Sequence, residues 1–260
     1  GQTLTVIVFA LVYLYLVVSR HHRAKALWIG VGLLFVLPLL WGQRPVLGPA
    51  DLFALTERGS WASINWNVLG IFAGTLLVAE AFIYSRVPAY WADLLIRRSP
   101  NVGWAILAVC IFASAISAVA ENVATVLIIA PIAMALARKL KVSSAPFLIG
   151  VAISSNLQGT ATLIGDPPSM ILAAHFQLNF NDFFWLHGRP GIFFAVQAGS
   201  VAGFVVLWLV FRRYKQPVVP IERETPRGWF PLVLMVLMIL GLACASYVDP
   251  AFLWFGAAVC

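Results

Sequence analysis

Long runs of apolar residues with almost no charge follow one another along the chain. They cover residues 3–19, 26–42, 64–84, 102–119, 123–137, 146–164, 190–211 and 231–247. A helix of about 20 such residues spans the hydrocarbon core of a bilayer, where the backbone must satisfy its polar groups within helices or closed barrels. Only 10% of the residues are charged, against roughly 25% in soluble domains. The runs therefore predict an all-α polytopic membrane protein.

The basic residues are distributed unevenly between the connections of these runs. If the N-terminus lies outside, only Arg44, Arg58 and Arg189 of the seventeen Lys and Arg residues fall in external segments. This is the positive-inside bias of membrane proteins. It predicts an integral protein of the plasma (inner) membrane with its N-terminus outside, and it accounts for the net charge of +7 without a nucleic-acid partner.

The runs 102–119 and 123–137 are separated only by Ala120, Glu121 and Asn122. A very tight turn between two spanning helices and a re-entrant hairpin both fit this spacing. In either case the free N–H groups and the positive dipole end of the second arm face the polar tip. Glu121 and Asn122 are therefore candidates for an ion or ligand site. The alternative is a capping turn, with Asn122 as N-cap and Glu121 only solvated.

A polar, helix-breaking run interrupts the chain between residues 156 and 169. It contains Asn156, Gln158, Thr160, Thr162 and Asp166, with Gly159 and Gly165 between them. The glycines permit backbone that other residues resist, and Asp166 before two prolines is predicted to cap the helix that follows. That role does not exclude ion binding. In lipid, a break of this kind is tolerated where it lines a cavity, and broken helices bind ions and substrates in secondary transporters.

Two motifs in these segments resemble signatures of the ion transporter superfamily. They are Ser117-Ala-Val-Ala-Glu-Asn-Val-Ala-Thr-Val126, followed by Ala130-Pro131, and Gly159-Thr-Ala-Thr-Leu-Ile-Gly-Asp-Pro-Pro168. That group includes arsenite permeases, NhaD-type sodium/proton antiporters, the melanosomal P protein and divalent anion/sodium symporters. The likeness covers residues 100–215, and it is greater to the permease branch with the P protein than to the arsenite pumps.

The resemblance implies an inverted-repeat fold in which each repeat supplies one hairpin and one broken helix for alternating access. It places the substrate- and ion-binding residues at the hairpin tip and the break: Glu121, Asn122, Thr125, Asn156, Gly159, Thr160 and Thr162. Asp166 is a further candidate for ion binding, because its predicted capping role does not exclude that function. No cofactor is expected beyond a coupling ion, H⁺ or Na⁺, and no metal beyond a Na⁺ at Asn122, Asn156 and Gly159.

The motifs depart from the family pattern at three positions. Glu121 stands where Asp is frequent, and its longer titratable side chain favours proton coupling. Gln158 stands where Gly is frequent, which argues against sodium coordination at that position. Ser169 replaces a frequent Asn.

The predicted organisation has four parts. Residues 1–43 form two N-terminal helices, 60–212 form the first transport repeat, 213–228 form a cytoplasmic linker, and 229–260 begin a second repeat. Within the first repeat we expect a spanning helix, an interfacial helix at 87–98, a re-entrant hairpin at 102–139, a broken helix at 146–175 and a spanning helix at 190–211.

We thus expect a secondary active transporter of a small anion or ion, coupled to H⁺ or Na⁺. A passive channel is the first alternative and a membrane-embedded enzyme the second, although the apolar runs contain neither a metal-ligand set nor a nucleophile–base pair. The expected partners are the lipid bilayer, the transported ion and a second repeat, supplied by a missing C-terminal half or by another chain. A homodimer is also left open.

Overall fold

The chain divides into two units, residues 1–65 and 66–260. The computed structural model describes residues 2–18, 23–40, 66–139, 142–218, 225–248 and 258–260. In the first unit, α1 (Gln2–Val18) and α2 (Arg23–Leu40) pack against each other. A Cβ atom on Gly30 would lie 2.6 Å from a methyl carbon of Val12, so the missing side chain lets the two helices approach closely.

The described part of the second unit contains eight longer helices. They are α3 (Trp66–Tyr84), α4 (Val87–Arg98), α5 (Val102–Ser117), α6 (Asn122–Lys139), α7 (Ala145–Gly159), α8 (Pro167–Phe176), α9 (Ile192–Phe211) and α10 (Phe230–Val248). Of these, α3, α9 and α10 are long and apolar enough to cross a membrane. Large apolar side chains such as Leu77, Val201 and Leu240 are exposed on them. The prediction of an all-α polytopic membrane protein is confirmed.

The other helices coincide with the remaining predicted segments. Helix α4 occupies the residues of the expected interfacial helix, and α5 and α6 are the two arms joined at residues 118–121. The non-helical residues 160–166 separate α7 from α8. A short β-hairpin lies before α9. Its two strands, β1 (Trp185–Leu186) and β2 (Arg189–Pro190), have two residues each. The placement of these elements relative to a bilayer stays a prediction.

Helix α5 lies at the centre of one hydrophobic core, where it packs on α7 and α9. A Cβ atom on Gly150 of α7 would lie 2.9 Å from the Phe211 ring and 3.2 Å from Cys110 Sγ. The rings of Phe147 and Phe211 meet edge to face with centroids 6.0 Å apart. Because the contact is close and made through small residues, the first arm of the hairpin is held firmly against α7.

The segment after α9 is fixed to the start of α5 by its backbone. The N–H of Val102 donates to the Gln216 carbonyl (3.1 Å), and the N–H of Gly103 donates to the Tyr214 carbonyl (2.9 Å). A Cβ atom on Gly103 would lie 3.1 Å from the Phe211 carbonyl carbon, so a glycine is needed for this approach.

The segment before α10 is fixed in a similar way to the turn between α3 and α4. The backbone N–H of Arg227 donates to the Ser85 carbonyl at 2.8 Å, and its guanidinium lies over the Tyr84 ring. The two ends of the predicted linker therefore contact different parts of the same unit.

Candidate functional site

Asn122 joins the hairpin tip to the end of α7. It is the first residue of α6 and is 8% exposed. Its Oδ1 accepts a hydrogen bond from Ser117 Oγ, and its Nδ2 donates to Asn156 Oδ1 at 3.3 Å. The structure therefore brings together Asn122 and Asn156, which lie 34 residues apart in the sequence.

Both glycines of the break are needed because the break passes close to the hairpin tip. A Cβ atom on Gly159 would lie 2.7 Å from Asn122 Nδ2, and one on Gly165 would lie 2.7 Å from the Ser117 carbonyl oxygen. Among the residues that the structure describes, Gly188 is the glycine with positive φ. Gly159 and Gly165 therefore permit a close approach between the break and the hairpin tip, and neither has the positive φ that also favours glycine.

Hydroxyl groups provide further links between the two elements. Ser155 Oγ lies 3.0 Å from Ser117 Oγ and 3.3 Å from the Asn122 carbonyl oxygen, and Ser117 Oγ lies 2.8 Å from the Ser155 carbonyl oxygen. Thr162 Oγ1 donates to the Ala118 carbonyl. The site predictions omitted Ser117 and Ser155. The available signal was the presence of small hydroxyl residues inside apolar helices, where such residues often lie at helix contacts.

Glu121 caps the second arm of the hairpin. Its Oε2 accepts a hydrogen bond from the N–H of Ala124 (3.3 Å), and its carbonyl accepts from Thr125 (3.0 Å). The alternative with Asn122 as N-cap is wrong, because α6 begins one residue earlier than that alternative required. Glu121 is half-buried and remains next to the cluster around Asn122.

Asp166 occupies the N-cap position of α8 without using its side chain as a cap. Its backbone is extended (φ −153°, ψ 139°), and the carboxylate makes no capping hydrogen bond. Pro167 and Pro168 have no N–H group to offer, and the N–H of Ser169 bonds to the Asp166 carbonyl at 3.0 Å. The predicted capping role is therefore wrong for the carboxylate, which is half-buried and lies near the Asn122 side chain.

The threonines of the predicted site have different surroundings. Thr125 is fully buried, and within the described part of the chain its Oγ1 has no hydrogen-bond partner. A buried polar atom without a partner requires an explanation, and a bound ion or water would supply one. By contrast, Thr160 Oγ1 donates to the Leu157 carbonyl in the last turn of α7 at 3.2 Å, and the structure does not bring it to Asn122.

Gln158 points away from the break. Its Oε1 accepts hydrogen bonds from Ser200 Oγ of α9 (2.8 Å) and Ser114 Oγ of α5 (3.4 Å). The side chain therefore links three helices, and the space next to Gly159 is left to Asn122. The argument against sodium coordination that rested on the Gln158 side chain thus loses its geometric basis.

Replacing Ser155 by Ala tests whether the hydroxyl links matter. We expect Ser155→Ala to lower the free energy of unfolding by about 1 kcal/mol, the usual size of a hydrogen bond between membrane helices, and to reduce transport. Ser246→Ala is the matched control, since Ser246 is also buried and its Oγ donates to the Leu242 carbonyl within its own helix. Thermal unfolding in detergent and uptake by proteoliposomes measure the two effects. Equal losses in both variants would contradict the role of Ser155.

Comparison with known proteins places the chain in a transport family. Residues 13–260 match the family model described as citrate transporter. The chain is 34% identical over 148 residues to an uncharacterized transporter of Mycobacterium tuberculosis, a match that covers 56% of this chain and 33% of that protein. It is 30% identical over 190 residues to the 46 kDa membrane protein of Mycobacterium leprae, covering 73% of this chain and 42% of the relative.

The human P protein is 28% identical over 177 residues, which are 68% of this chain and 20% of the P protein. The chain therefore spans less than half the length of each of these relatives. The expected resemblance to an ion transporter superfamily permease is confirmed. With the family model matching most of its length, the chain belongs to the citrate transporter family of membrane transport proteins.

Proposed function

We propose that this chain supplies the cation-binding half of the transport site of a secondary active transporter. The proposal rests on one observation. The hairpin tip and the break contact each other at Asn122, and Glu121 and Asp166 lie on either side of this contact. The coupling ion is H⁺ or Na⁺, and the transporter works by alternating access. A half-buried carboxylate without a capping bond, Asp166, is available to take the ion.

The charge of the junction favours a cation as its direct ligand. The segments 117–125 and 154–166 contain two carboxylates and no Lys, Arg or His. The positive end of α6, which could otherwise attract an anion, already faces Glu121. An anion would meet two negative side chains there, whereas amide, hydroxyl and carboxylate oxygens are ligands for small hard cations.

The transported substrate is a small anion, and the family description points to a carboxylate such as citrate. In this proposal the anion binds with the coupling cation, which offsets the negative charge of Glu121 and Asp166. The remaining ligands come from parts of the transporter outside this chain.

The hairpin is re-entrant in this proposal. Helix α5 has 16 residues and α6 has 18. At 1.5 Å per residue, both arms are shorter than the roughly 30 Å hydrocarbon core. The protein lies in the plasma membrane with its N-terminus outside.

Counterflow in proteoliposomes tests the proposal. Vesicles that contain the whole transporter, this chain together with the parts outside it, are loaded with unlabelled citrate and diluted into labelled citrate, first without an ion gradient and then with a Na⁺ gradient or a pH gradient alone. We expect transient accumulation of label above equilibrium, with one of the two gradients increasing uptake. Simple equilibration of label would indicate a channel. Chemical conversion of the recovered citrate would indicate an enzyme, and absence of uptake under both gradients would contradict the substrate assignment.

A further inference from the structure

A cluster of cations lies where α4, α5 and α9 meet, away from the candidate site. Helix α4 ends at Arg98, α5 begins at Val102, and α9 ends at Phe211. The backbone bonds from Val102 and Gly103 to the segment after α9 hold these three helix ends together. We define the basic cluster as Arg98, Arg212, Arg213 and Lys215.

The four cations of the basic cluster are accessible. Each is exposed, and within the residues that the structure describes none forms an ion pair with a carboxylate. The one acidic residue of α4, Asp93, is buried, and its Oδ2 accepts a hydrogen bond from Arg97 Nε at 2.8 Å. Asp93 therefore does not neutralise the basic cluster.

Aromatic rings hold two of the guanidinium groups in place. The Arg212 guanidinium carbon lies 5.7 Å from the centre of the Trp208 ring, and that of Arg213 lies 5.2 Å from the Tyr214 ring. The Tyr214 ring packs in turn on Phe147, with centroids 5.3 Å apart. A guanidinium on an aromatic face keeps its N–H edge free for hydrogen bonds to phosphate oxygens.

The start of α5 contributes no free donors to this region. The first N–H groups of α5 donate to the Gln216 and Tyr214 carbonyls, and those of Trp104 and Ala105 donate to Asn101. Anion binding at this corner must therefore rely on the side chains of the basic cluster. Their alternative role is to complement the negative C-terminal ends of α4 and α9.

The surroundings of the basic cluster match a lipid headgroup. Trp104 and Trp208 are 48% and 38% exposed, and tryptophan is enriched at the boundary between headgroups and acyl chains. Farther along α9, Val205, Val206 and Leu209 are exposed apolar residues, suited to contact with acyl chains. We propose that the basic cluster binds the phosphate headgroup of an anionic phospholipid.

Lipid titration followed by native mass spectrometry tests this inference. The protein, purified in an uncharged detergent, is titrated with dioctanoyl phosphatidylglycerol and, separately, with dioctanoyl phosphatidylcholine. We expect tighter binding of phosphatidylglycerol, and a loss of about tenfold or more in Arg212→Gln/Arg213→Gln, since each cation near a membrane surface contributes roughly fivefold. Arg212→Lys/Arg213→Lys keeps the charge and should retain most of the binding.

The matched control removes the same charge elsewhere. Arg189→Gln/Arg227→Gln removes one exposed cation before the start of α9, a helix about 30 Å long that ends next to Arg212, and one near the start of α4, which is about 18 Å long. This variant should change binding less than twofold. Equal losses in the two glutamine variants would overturn the assignment, as would equal affinity for the two lipids. Displacement of the lipid by an equal concentration of inorganic phosphate would assign the basic cluster to a free anion and would also overturn it.

Thermal unfolding in the same detergent separates lipid binding from a purely structural role. The proposal expects Arg212→Gln/Arg213→Gln to unfold at the wild-type temperature when no anionic lipid is present. If that variant does not fold, the same lipid titration is carried out on Arg98→Gln/Lys215→Gln. We expect the same loss of phosphatidylglycerol binding. Wild-type affinity in a folded glutamine variant would overturn the proposal.

Discussion

Asp166→Asn is expected to abolish ion-coupled uptake while the protein stays folded and inserted. The substitution keeps the size of the side chain and removes its charge. The carboxylate makes no capping bond, so its loss does not weaken α8. A unit charge about 4 Å from a bound cation is worth about 4 kcal/mol at the effective dielectric constant of partly exposed sites. The expected loss in ion affinity is therefore several hundredfold to about a thousandfold.

Citrate uptake by proteoliposomes under imposed Na⁺ and pH gradients measures this effect. Glu80→Gln is the matched control, because Glu80 is an exposed carboxylate on α3, and it should keep wild-type uptake. Glu121→Gln retains an oxygen that can accept the Ala124 N–H, so the hairpin should still fold. If Glu121→Gln abolishes pH-driven uptake and Asp166→Asn does not, the coupling carboxylate is Glu121 instead.

Gly159→Val is expected to eliminate transport through a steric effect on Asn122. Its Cβ atom would come within 2.7 Å of Asn122 Nδ2, and the branched side chain would require still more room. Asn122 would have to move, which breaks its bond to Asn156 and separates it from Asp166. Overpacking of this kind costs about 1–3 kcal/mol, which a membrane protein can survive while losing its site.

Gly199→Val is the matched control for this substitution. Gly199 also lies in a membrane helix, α9, and a Cβ atom there would meet no atom within 4 Å. Membrane insertion and thermal unfolding are measured for both variants together with citrate counterflow. Wild-type counterflow in Gly159→Val would contradict the close approach between the break and the hairpin tip.

Much of the fold could be predicted from the sequence, because it depends on local pattern. Uncharged runs of sufficient length predict helices in lipid, and the run 66–84 is a single helix in the structure. The glycines and prolines between residues 159 and 168 predict the interruption between α7 and α8. These features require no knowledge of which helices touch.

The details of the site depend on contacts that no local pattern records. Ser117 and Ser155 lie 38 residues apart, and nothing in either segment indicates that they meet. Which side chain caps a helix depends on a shift of one residue: Glu121 takes the capping role that the alternative interpretation gave to Asn122. The direction of Gln158 depends on Ser200 of α9, a helix whose packing the sequence does not reveal. Likewise, only the structure shows that the Asp166 carboxylate makes no capping hydrogen bond to α8.

The two anchored ends of the segment between α9 and α10 make this part of the chain suitable for division into two polypeptides. Tyr214 and Gln216 hold one end to α5, and Arg227 holds the other to Ser85. Each end keeps its own contacts, so a cut between Val218 and Thr225 removes no hydrogen bond of either anchor. Co-expressed fragments meeting at this point offer a means of labelling α10 separately from the hairpin and the break.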